Sequence, residues 1–559
     1  MSAIFNEHLL TNGPWREFER NTARLLLHQG WKDPRVVGRS GDHGADVLAV
    51  NQDGELWVFQ CKFSRATNPG KSAIDDVRRA GVVYGADALV VVSSLPPTKG
   101  FWTEFNRLKR MGLKLVHLGP DELSKGSEDT PLYAPSRFDL HEYQIDAVER
   151  VREAILETGR AQLVLATGLG KTVVMAEVVS DMLADELLGE GRVLVLAHTL
   201  DLVDQLLRSF WRHLPKTVAT HRYAGSERPL SFDGLTFATV QSLSKLDDPP
   251  FFDLVIVDEA HHIGSPEYQK TLRNLNSPRL IGVTATPWRS DGVSISHSLG
   301  EPVMTMGIKE GLAQGFLADV DYRVFVDGID WDFVREQSSY SYSIAQLNKR
   351  LLIPTRDEEA IREIRNVFDS TQRRRGLAFS PSQTHAKSFA SDLRRHGFRA
   401  AALTSENTAT ERFKILSRFA AGHLDFLCAV DIFNEGIDVP DVDLLVFLRV
   451  THSRRIFVQQ LGRGLRLNSN KKDVVVLDFA ADVRRVHAAL ELTTPLEDEV
   501  IERLRLVHTQ VSFQDKSLGG FFYEWIADMG DIQDYEEDEI VRLPILDPTR
   551  FNYPDPQEG

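Results

Sequence analysis

The chain has 559 residues, 42% of them hydrophobic and 26% charged, which favours three or four globular units over a single domain. No apolar stretch approaches a membrane span, the N-terminus lacks the features of a signal peptide, and only two cysteines occur, so we expect a cytoplasmic protein without membrane segment, disulfide framework or cysteine zinc site. The net charge of −15 argues against non-specific coating of nucleic acid, because phosphate affinity requires concentrated lysine and arginine.

The first predicted domain, residues 1–120, begins with a helix that carries Glu19 and continues into a β-hairpin whose turn is Asn-Gln-Asp-Gly. Folding the hairpin about this turn places Asp46 opposite Gln60. Alternation along the second arm puts Gln60 and Lys62 on one face, beside the helical glutamate. Asp46 and Gln60 offer hard oxygen ligands to Mg²⁺, and the Lys62 ammonium can steady an attacking water or the phosphorane charge. The pattern therefore predicts metal-dependent phosphodiester cleavage.

This segment resembles the Mrr-like restriction endonuclease domains of the PD-(D/E)xK nuclease class over roughly residues 14–118. The resemblance implies a restriction-endonuclease-like α/β fold with Glu19, Asp46, Gln60 and Lys62 as catalytic residues. The wider class has an acidic residue two positions before the lysine, whereas this chain has Gln60, which removes one negative charge from the site. A nuclease fold that binds DNA without cutting it is therefore the alternative.

Residues 121–136 are rich in glycine, proline, serine and charge, and we expect them to form a linker. Residues 137–300 then alternate apolar strands with helices and contain the segment ATGLGKT between a strand and a helix. At such a turn, backbone N–H groups cradle nucleotide phosphates, Lys171 reaches the outer phosphates and Thr172 can hold Mg²⁺. The residues expected to bind the nucleotide here are Thr167, Gly168, Gly170, Lys171 and Thr172.

Two further features predict ATP hydrolysis. Asp258 ends a strongly apolar strand, where it can hold Mg²⁺, and the adjacent Glu259 can orient or deprotonate the attacking water. After a less regular stretch, residues 301–360, a second α/β series covers residues 361–490. Arg463 and Arg466 lie three positions apart in that series, so both project from one helix face and could act as arginine fingers.

Residues 137–490 resemble superfamily-two helicases and translocases through an ordered series of motifs: ATGLGKT, DEAH, TAT and QQLGRGLR. The form of the last motif, and Trp-Arg after TATP, are similar to the restriction and DNA-repair branch rather than the DEAD-box RNA branch. The resemblance implies two tandem RecA-like parallel-sheet domains. It also implies adenine recognition by Gln144, further nucleotide-site positions at Gly436 and Asp438, and nucleic-acid contacts at Thr239, Ser242 and Thr286.

The sequence thus predicts an ATP- and Mg²⁺-dependent DNA helicase or translocase coupled to a DNA endonuclease, acting in restriction or antiviral defence. We expect duplex DNA as substrate and a partner subunit that supplies specificity, since no target-recognition motif is apparent. Two rivals stay open: a DNA remodeller that does not cleave, and a DNA-repair helicase-nuclease; an RNA helicase is a third. The C-terminal extension, residues 491–559, has no predicted role.

Overall fold

The computed structural model describes residues 4–37, 44–246, 248–275, 277–285, 295–329, 341–343, 352–354, 357–371, 373, 375–420, 422–430, 442–448, 473–479, 510–513 and 540–542. The chain divides into two compact units, residues 1–165 with 170–305, and residues 166–169 with 306–559. Both units are α/β, which confirms the predicted fold class. No helix among the described residues is long and apolar enough to cross a membrane.

The N-terminal part of the first unit is a five-stranded sheet with helices on both faces. Its elements are α1 (Glu7–Asn12), α2 (Trp15–His28), β1 (Lys32–Val36), β2 (Val47–Val50), β3 (Leu56–Lys62), α3 (Lys71–Tyr84), β4 (Ala88–Ser93), α4 (Lys99–Arg110) and β5 (Leu115–Leu118). Strands β1 to β3 are antiparallel, and β3 to β5 are parallel. The β2–β3 register pairs Val47 with Phe59, which confirms that the preceding Asp46 faces Gln60.

Helix α5 (Pro120–Asp129) occupies much of the segment expected to be a linker. Proline opens the helix, and the Gly119 N–H donates to the Glu122 carboxylate at 3.0 Å, so the residues that suggested a loop in fact form a helix start. The Phe5 N–H donates to the buried Ser127 hydroxyl at 3.0 Å, which joins α5 to the N-terminal sheet domain. The boundary between linker and domain at residue 120 stays a prediction.

The remainder of the first unit, the first lobe, is built on a seven-stranded sheet in the order β12-β6-β11-β10-β7-β9-β8. Its elements are α6 (Glu142–Thr158), β6 (Arg160–Leu165), α7 (Lys171–Ala184), β7 (Val193–Ala197), α8 (Leu200–His213), β8 (Thr220–Tyr223), β9 (Leu235–Thr239), α9 (Val240–Leu243), β10 (Leu254–Asp258), α10 (Pro266–Leu275), β11 (Leu280–Thr284), α11 (Ser296–Leu299) and β12 (Pro302–Met306). In this sheet order, all neighbouring strands from β6 through β11, β10, β7 and β9 to β8 pair in parallel. Every residue of β7, β9, β10 and β11 is buried, as expected for strands covered on both faces.

The second unit contains another seven-stranded parallel sheet, in the order β18-β19-β17-β20-β21-β13-β22. Its elements are α12 (Ile308–Ala313), β13 (Asp319–Val324), β14 (Val326–Ile329), β15 (Ser341–Ser343), β16 (Leu352–Pro354), α13 (Asp357–Thr371), β17 (Gly376–Phe379), α14 (Gln383–Arg395), β18 (Ala400–Leu403), α15 (Ala409–Ala420), β19 (Phe426–Ala429), β20 (Leu444–Phe447), β21 (Asp473–Asp478), β22 (Gln510–Phe513) and β23 (Ile540–Arg542). The five strands predicted for the second lobe are confirmed. Strand β13 from the connecting segment and β22 from the C-terminal extension complete this sheet.

Candidate active sites

The first candidate site lies at the start of β2 and the end of β3. The Gln60 side-chain amide donates to the Asp46 carboxylate, and the Cys61 backbone N–H donates to the same Asp46 oxygen at 2.6 Å. Asp46 and Gln60 are both buried, and α3 packs against β3, the strand that carries Gln60. The hairpin thus brings together the carboxylate and the amide that the sequence pairs.

The Gln60 side-chain oxygen is oriented for a further ligand. It is buried and has no hydrogen-bond partner among the described residues. Gly44 has φ +92°, and a Cβ atom there would lie only 2.9 Å from this oxygen, so glycine keeps the approach open. Within the described part of the chain no three His, Cys, Asp or Glu side chains form a metal cluster. A carboxylate beside an unsatisfied amide oxygen fits Mg²⁺, which Asp46 and Gln60 would hold.

Lys62 has a partner that the sequence did not reveal. Its ammonium lies 2.7 Å from Oδ2 of Asp76, on helix α3, and Oδ1 of Asp76 accepts from Arg79. Burial alone would raise the pKa of Asp76, but the Lys62 and Arg79 cations outweigh it and lower the pKa below its usual range. The motif AIDDVRRA looks like an ordinary charged helix, so only the packing of α3 on β3 identifies Asp76.

Glu19 approaches the same region from helix α2. It is buried, and α2 packs against the face of the sheet to which Cys61 contributes, since the Cys61 thiol lies 3.6 Å from the Thr22 hydroxyl. Burial, and then the charges of Asp46 and Glu19, raise the pKa of the Cys61 thiol. Both carboxylates are therefore near this thiol. Lys62 and Gln60 alternate with Cys61 along β3 and lie on the side of the sheet where Lys62 meets Asp76 of α3, so the prediction that alternation puts them on the same face as Glu19 of α2 is wrong. The catalytic role of Glu19 stays a prediction.

The second candidate site is the turn between β6 and α7. Gly168 and Gly170 have φ values of +99° and +80°, which favour glycine, and Thr167 is in the same turn. Lys171 opens α7 with Thr172, and the Lys171 ammonium donates to the Leu165 carbonyl at 3.1 Å. The structure thus gives the predicted phosphate loop its expected strand–turn–helix form.

Asp258 ends β10, and Lys171 is near enough to act on it electrostatically. Burial and the neighbouring Glu259 charge raise the pKa of Asp258 to about 7, against the opposing effect of Lys171. A buried carboxylate in this state fits a divalent cation, which Asp258 and Thr172 would hold. Glu259 itself has φ +50°, a strained backbone conformation for a residue with a side chain and one that recurs at active sites.

Two contacts connect neighbouring motifs of the first lobe. Gln144 is buried against the phosphate loop, where a Cβ atom on Gly170 would collide with its side-chain nitrogen. The His261 ring nitrogen Nδ1 lies 3.1 Å from the buried Thr284 hydroxyl, which joins the segment after β10 to the end of β11. These contacts place Gln144 beside the nucleotide loop, and Thr284, the first residue of the TAT motif, beside the DEAH segment.

The nucleic-acid residues divide into described and undescribed ones. Thr239 and Ser242 are buried, and the Thr239 hydroxyl donates to the Ser242 hydroxyl at 2.9 Å while capping α9. Their side chains therefore shape this loop, and their contact with a phosphate stays a prediction. Five predicted site residues lie outside the described residues: Thr286, Gly436, Asp438, Arg463 and Arg466.

Three family models match successive parts of the chain. Residues 10–118 match "Restriction endonuclease", residues 137–289 match "Type III restriction enzyme, res subunit", and residues 359–468 match "Helicase conserved C-terminal domain". The chain therefore carries a restriction-endonuclease domain followed by the two domains of a superfamily-two helicase. The order is the one that the sequence motifs predict.

Similar proteins are helicases and restriction enzymes. IRC3 of Saccharomyces cerevisiae, named as an ATP-dependent helicase by prediction, is 25% identical over 392 residues, 66% of this chain and 57% of that protein. The endonuclease subunit of the Escherichia coli type I restriction enzyme EcoKI is 25% identical over 498 residues, 75% of this chain and 40% of that protein. The DNA-bound type ISP restriction-modification enzyme LlaBIII shares the fold with a TM-score of 0.52 at 16% identity, over 93% of this chain and 42% of that one. The chain thus spans only about half the length of these relatives.

Proposed function

Because a restriction-endonuclease domain is joined to the two lobes of a superfamily-two helicase, we propose that this chain is an ATP-driven DNA helicase or translocase that also cleaves DNA with Mg²⁺. Its proposed role is restriction or antiviral defence. The observation that carries the proposal is the presence of two separate sites, Asp46–Gln60–Lys62 and Lys171–Asp258, each built as its chemistry requires.

The first-lobe residues have distinct tasks in ATP hydrolysis. Backbone N–H groups of the turn and the Lys171 ammonium bind the phosphates, while Gln144 lies beside the loop to recognise the base. Mg²⁺, when bound, would neutralise phosphate charge next to Asp258 and Thr172. Glu259 orients the water, and the His261–Thr284 hydrogen bond links the hydrolytic segment to the TAT motif.

The N-terminal site supplies the groups for phosphodiester hydrolysis. Asp46 and Gln60 would hold Mg²⁺, which supplies Lewis-acid activation of the phosphate and of water. The Lys62 ammonium, held by Asp76, offers a positive charge where negative charge develops in the transition state. Glu19 completes the proposed set from helix α2. Sequence specificity would come from a partner subunit.

An alternative function is an ATP-driven DNA remodeller that does not cleave DNA. Gln60 stands where the wider nuclease class has a carboxylate, so a domain that anchors DNA without cleaving it has a specific residue in its favour. A repair helicase-nuclease would share both sites and differ in its DNA substrate.

The decisive experiment compares wild type, Lys171→Ala and Asp46→Ala/Lys62→Ala on labelled duplex DNA with Mg²⁺ and ATP. We expect Lys171→Ala to lose DNA-stimulated ATPase activity, and the double variant to keep it but lose cleavage. Cleavage that survives the double substitution would refute the nuclease site. A wild type that hydrolyses ATP on DNA but does not cleave it with any divalent metal tested would favour the remodeller.

A further inference from the structure

The nuclease domain is docked on the first lobe through buried charges of helix α2. Arg20 forms an ion pair with Glu227, and both residues are buried. One helical turn later, Arg24 is buried and donates to the carbonyls of Val218 and Pro215 at 2.7 and 2.9 Å. Because buried arginines are stable only when partnered, α2 requires the surface of the lobe.

The Arg20 contact belongs to a longer ion network within the lobe. The other carboxylate oxygen of Glu227 lies 3.2 Å from Arg222, whose Nε donates at 2.6 Å to Asp204 on helix α8. In contrast, Nε and Nη2 of Arg20 are buried without a hydrogen-bond partner among the described residues, so Glu227 is the carboxylate that Arg20 contacts directly, while Glu17 interacts with it electrostatically. Glu19, which precedes Arg20 on α2, lines with Asp204 a cavity of about 100 Å³.

The segment that carries Glu227 is also hydrogen-bonded to the predicted strand-binding loop. The Gly225 N–H donates to the Ser242 hydroxyl at 3.2 Å, and Ser242 in turn accepts from Thr239. Glu227 closes the same turn, since its N–H donates to the Ala224 carbonyl at 3.2 Å. Two short steps thus separate the Thr239–Ser242 loop from the helix that bears Glu19.

We propose that Arg20 and Glu227 are a positioning pair, through which DNA binding at the Thr239–Ser242 loop sets the place of Glu19 in the nuclease site. The inference rests on the proposed nuclease function. A shift of the Glu227 turn moves the carboxylate that is hydrogen-bonded to Arg20, and α2 follows because this buried ion pair is costly to separate. The motor lobe would in this way permit cleavage only on DNA that it has engaged.

The test uses the full chain and duplex DNA. Glu227→Gln removes the charge but keeps the shape, and Asp204→Asn removes the other carboxylate from Arg222 while both residues of the Arg20–Glu227 pair stay unchanged. Single-turnover cleavage at saturating DNA with Mg²⁺ and ATP is measured together with DNA-stimulated ATPase activity. We expect Glu227→Gln to slow cleavage on the order of 10- to 100-fold with ATPase activity within about twofold of wild type, and Asp204→Asn to stay near wild type in both.

Hydrogen exchange provides a readout that does not depend on cutting. In EDTA, DNA should slow amide exchange in residues 15–28 of wild type and Asp204→Asn, and this effect should vanish in Glu227→Gln. If Glu227→Gln misfolds, Glu227→Asp keeps the charge and should give an intermediate effect. Cleavage at the wild-type rate, or unchanged DNA-dependent protection of α2, in Glu227→Gln would overturn the proposal. A wild type that never cuts, yet shows protection that Glu227→Gln abolishes, would refute the nuclease activity and support the link.

Discussion

The Lys62 ammonium is fixed by a carboxylate on another element. Asp76 contacts Lys62 through Oδ2 and Arg79 through Oδ1, so both of its oxygens already face a cation. Asp76 is therefore better suited to orient Lys62 than to bind a metal ion. Asp76 also brings a negative charge close to the site, in addition to the pattern of the class motif, in which Gln60 removes one negative charge.

We therefore predict that Asp76→Asn slows DNA cleavage on the order of tenfold, with DNA affinity unchanged, because Lys62 loses the partner that holds it in place. Single-turnover cleavage and equilibrium binding in Ca²⁺ separate the two effects. Asp75→Asn is the matched control, since Asp75 is half-exposed on the same helix and lies 3.8 Å from Arg78. Equal losses in both variants would show that α3 charge, rather than the Lys62 contact, is what matters.

At the scale of elements, Lys216 holds the end of helix α5. Its ammonium donates to the carbonyls of Ser127, Glu128 and Thr130 at 2.8, 2.7 and 2.5 Å. These are carbonyls that the helix itself cannot satisfy, and a cation at a helix C-terminus is additionally favoured by the helix dipole. Lys216 follows α8 in the first lobe, so this contact ties α5 to that lobe.

Replacing Lys216 with methionine should lower the free energy of unfolding by about 2 kcal/mol, because the apolar stem remains and several carbonyls lose a charged donor. Urea denaturation measures the loss, and limited proteolysis after α5 should become faster. Lys125→Met, on the exposed side of the same helix, serves as the control and should change neither. Equal stability of Lys216→Met and wild type would mean that water replaces the ammonium without cost.

The His261–Thr284 hydrogen bond allows a test of coupling between two strands of the first lobe. Thr284→Val removes the hydroxyl that meets His261 but nearly keeps the side-chain volume. We expect ATP hydrolysis to continue while ATP-driven strand displacement falls several-fold, because the DEAH and TAT segments lose their connection. Thr271→Val, a buried threonine of α10, is the control. Parallel loss of both activities in Thr284→Val would indicate damage to the ATP site instead.

Local patterns and long-range contacts were unequally visible in the sequence. Alternation and the turn predicted the Asp46–Gln60 pairing, and apolar runs predicted the strands, because both depend on neighbouring residues. No local pattern encodes contacts between distant residues. The Lys62–Asp76 contact joins residues 14 positions apart, the Arg20–Glu227 pair 207 positions, and the Lys216–Ser127 contact 89 positions. Composition also misled at α5, where Gly, Pro and Ser build a capped helix instead of a linker.

At the scale of the molecule, the stability of the nuclease domain depends on groups of helix α2 that are buried where this domain docks on the first lobe. Arg24, buried in the lobe without a carboxylate contact among the described hydrogen bonds, has its pKa lowered to about 9 by desolvation. His28, one turn further along α2, is fully buried, with Nδ1 3.3 Å from the Pro131 carbonyl. An additional positive charge on the face of α2 that carries Arg24 and His28 would therefore lower the free energy of unfolding.

This leads to a prediction about pH. Burial, and then the charge of Arg24, lower the pKa of His28 from 6.5 to about 4. The unfolded chain binds a proton near pH 6.5 that the folded chain binds only near pH 4, so the unfolded state binds more protons between these values. Stability should be fully present above pH 6.5 and fall as the pH decreases towards 4. Urea unfolding of residues 1–305, followed at pH 7.5, 6.5, 5.5 and 5.0, measures this slope.

His28→Gln should flatten the slope between pH 6.5 and 5, since glutamine cannot take up the proton yet can still donate to the Pro131 carbonyl. His297→Gln is the matched control, because His297 is exposed on α11 in the same unit and should leave the slope unchanged. If acid lowers the free energy of unfolding as steeply in His28→Gln as in wild type, groups other than His28 cause the pH dependence. If the slope does follow His28, acid should also detach the nuclease domain first, visible as faster amide exchange in α2 than in β10, because the proton enters the face of α2 that holds the two domains together.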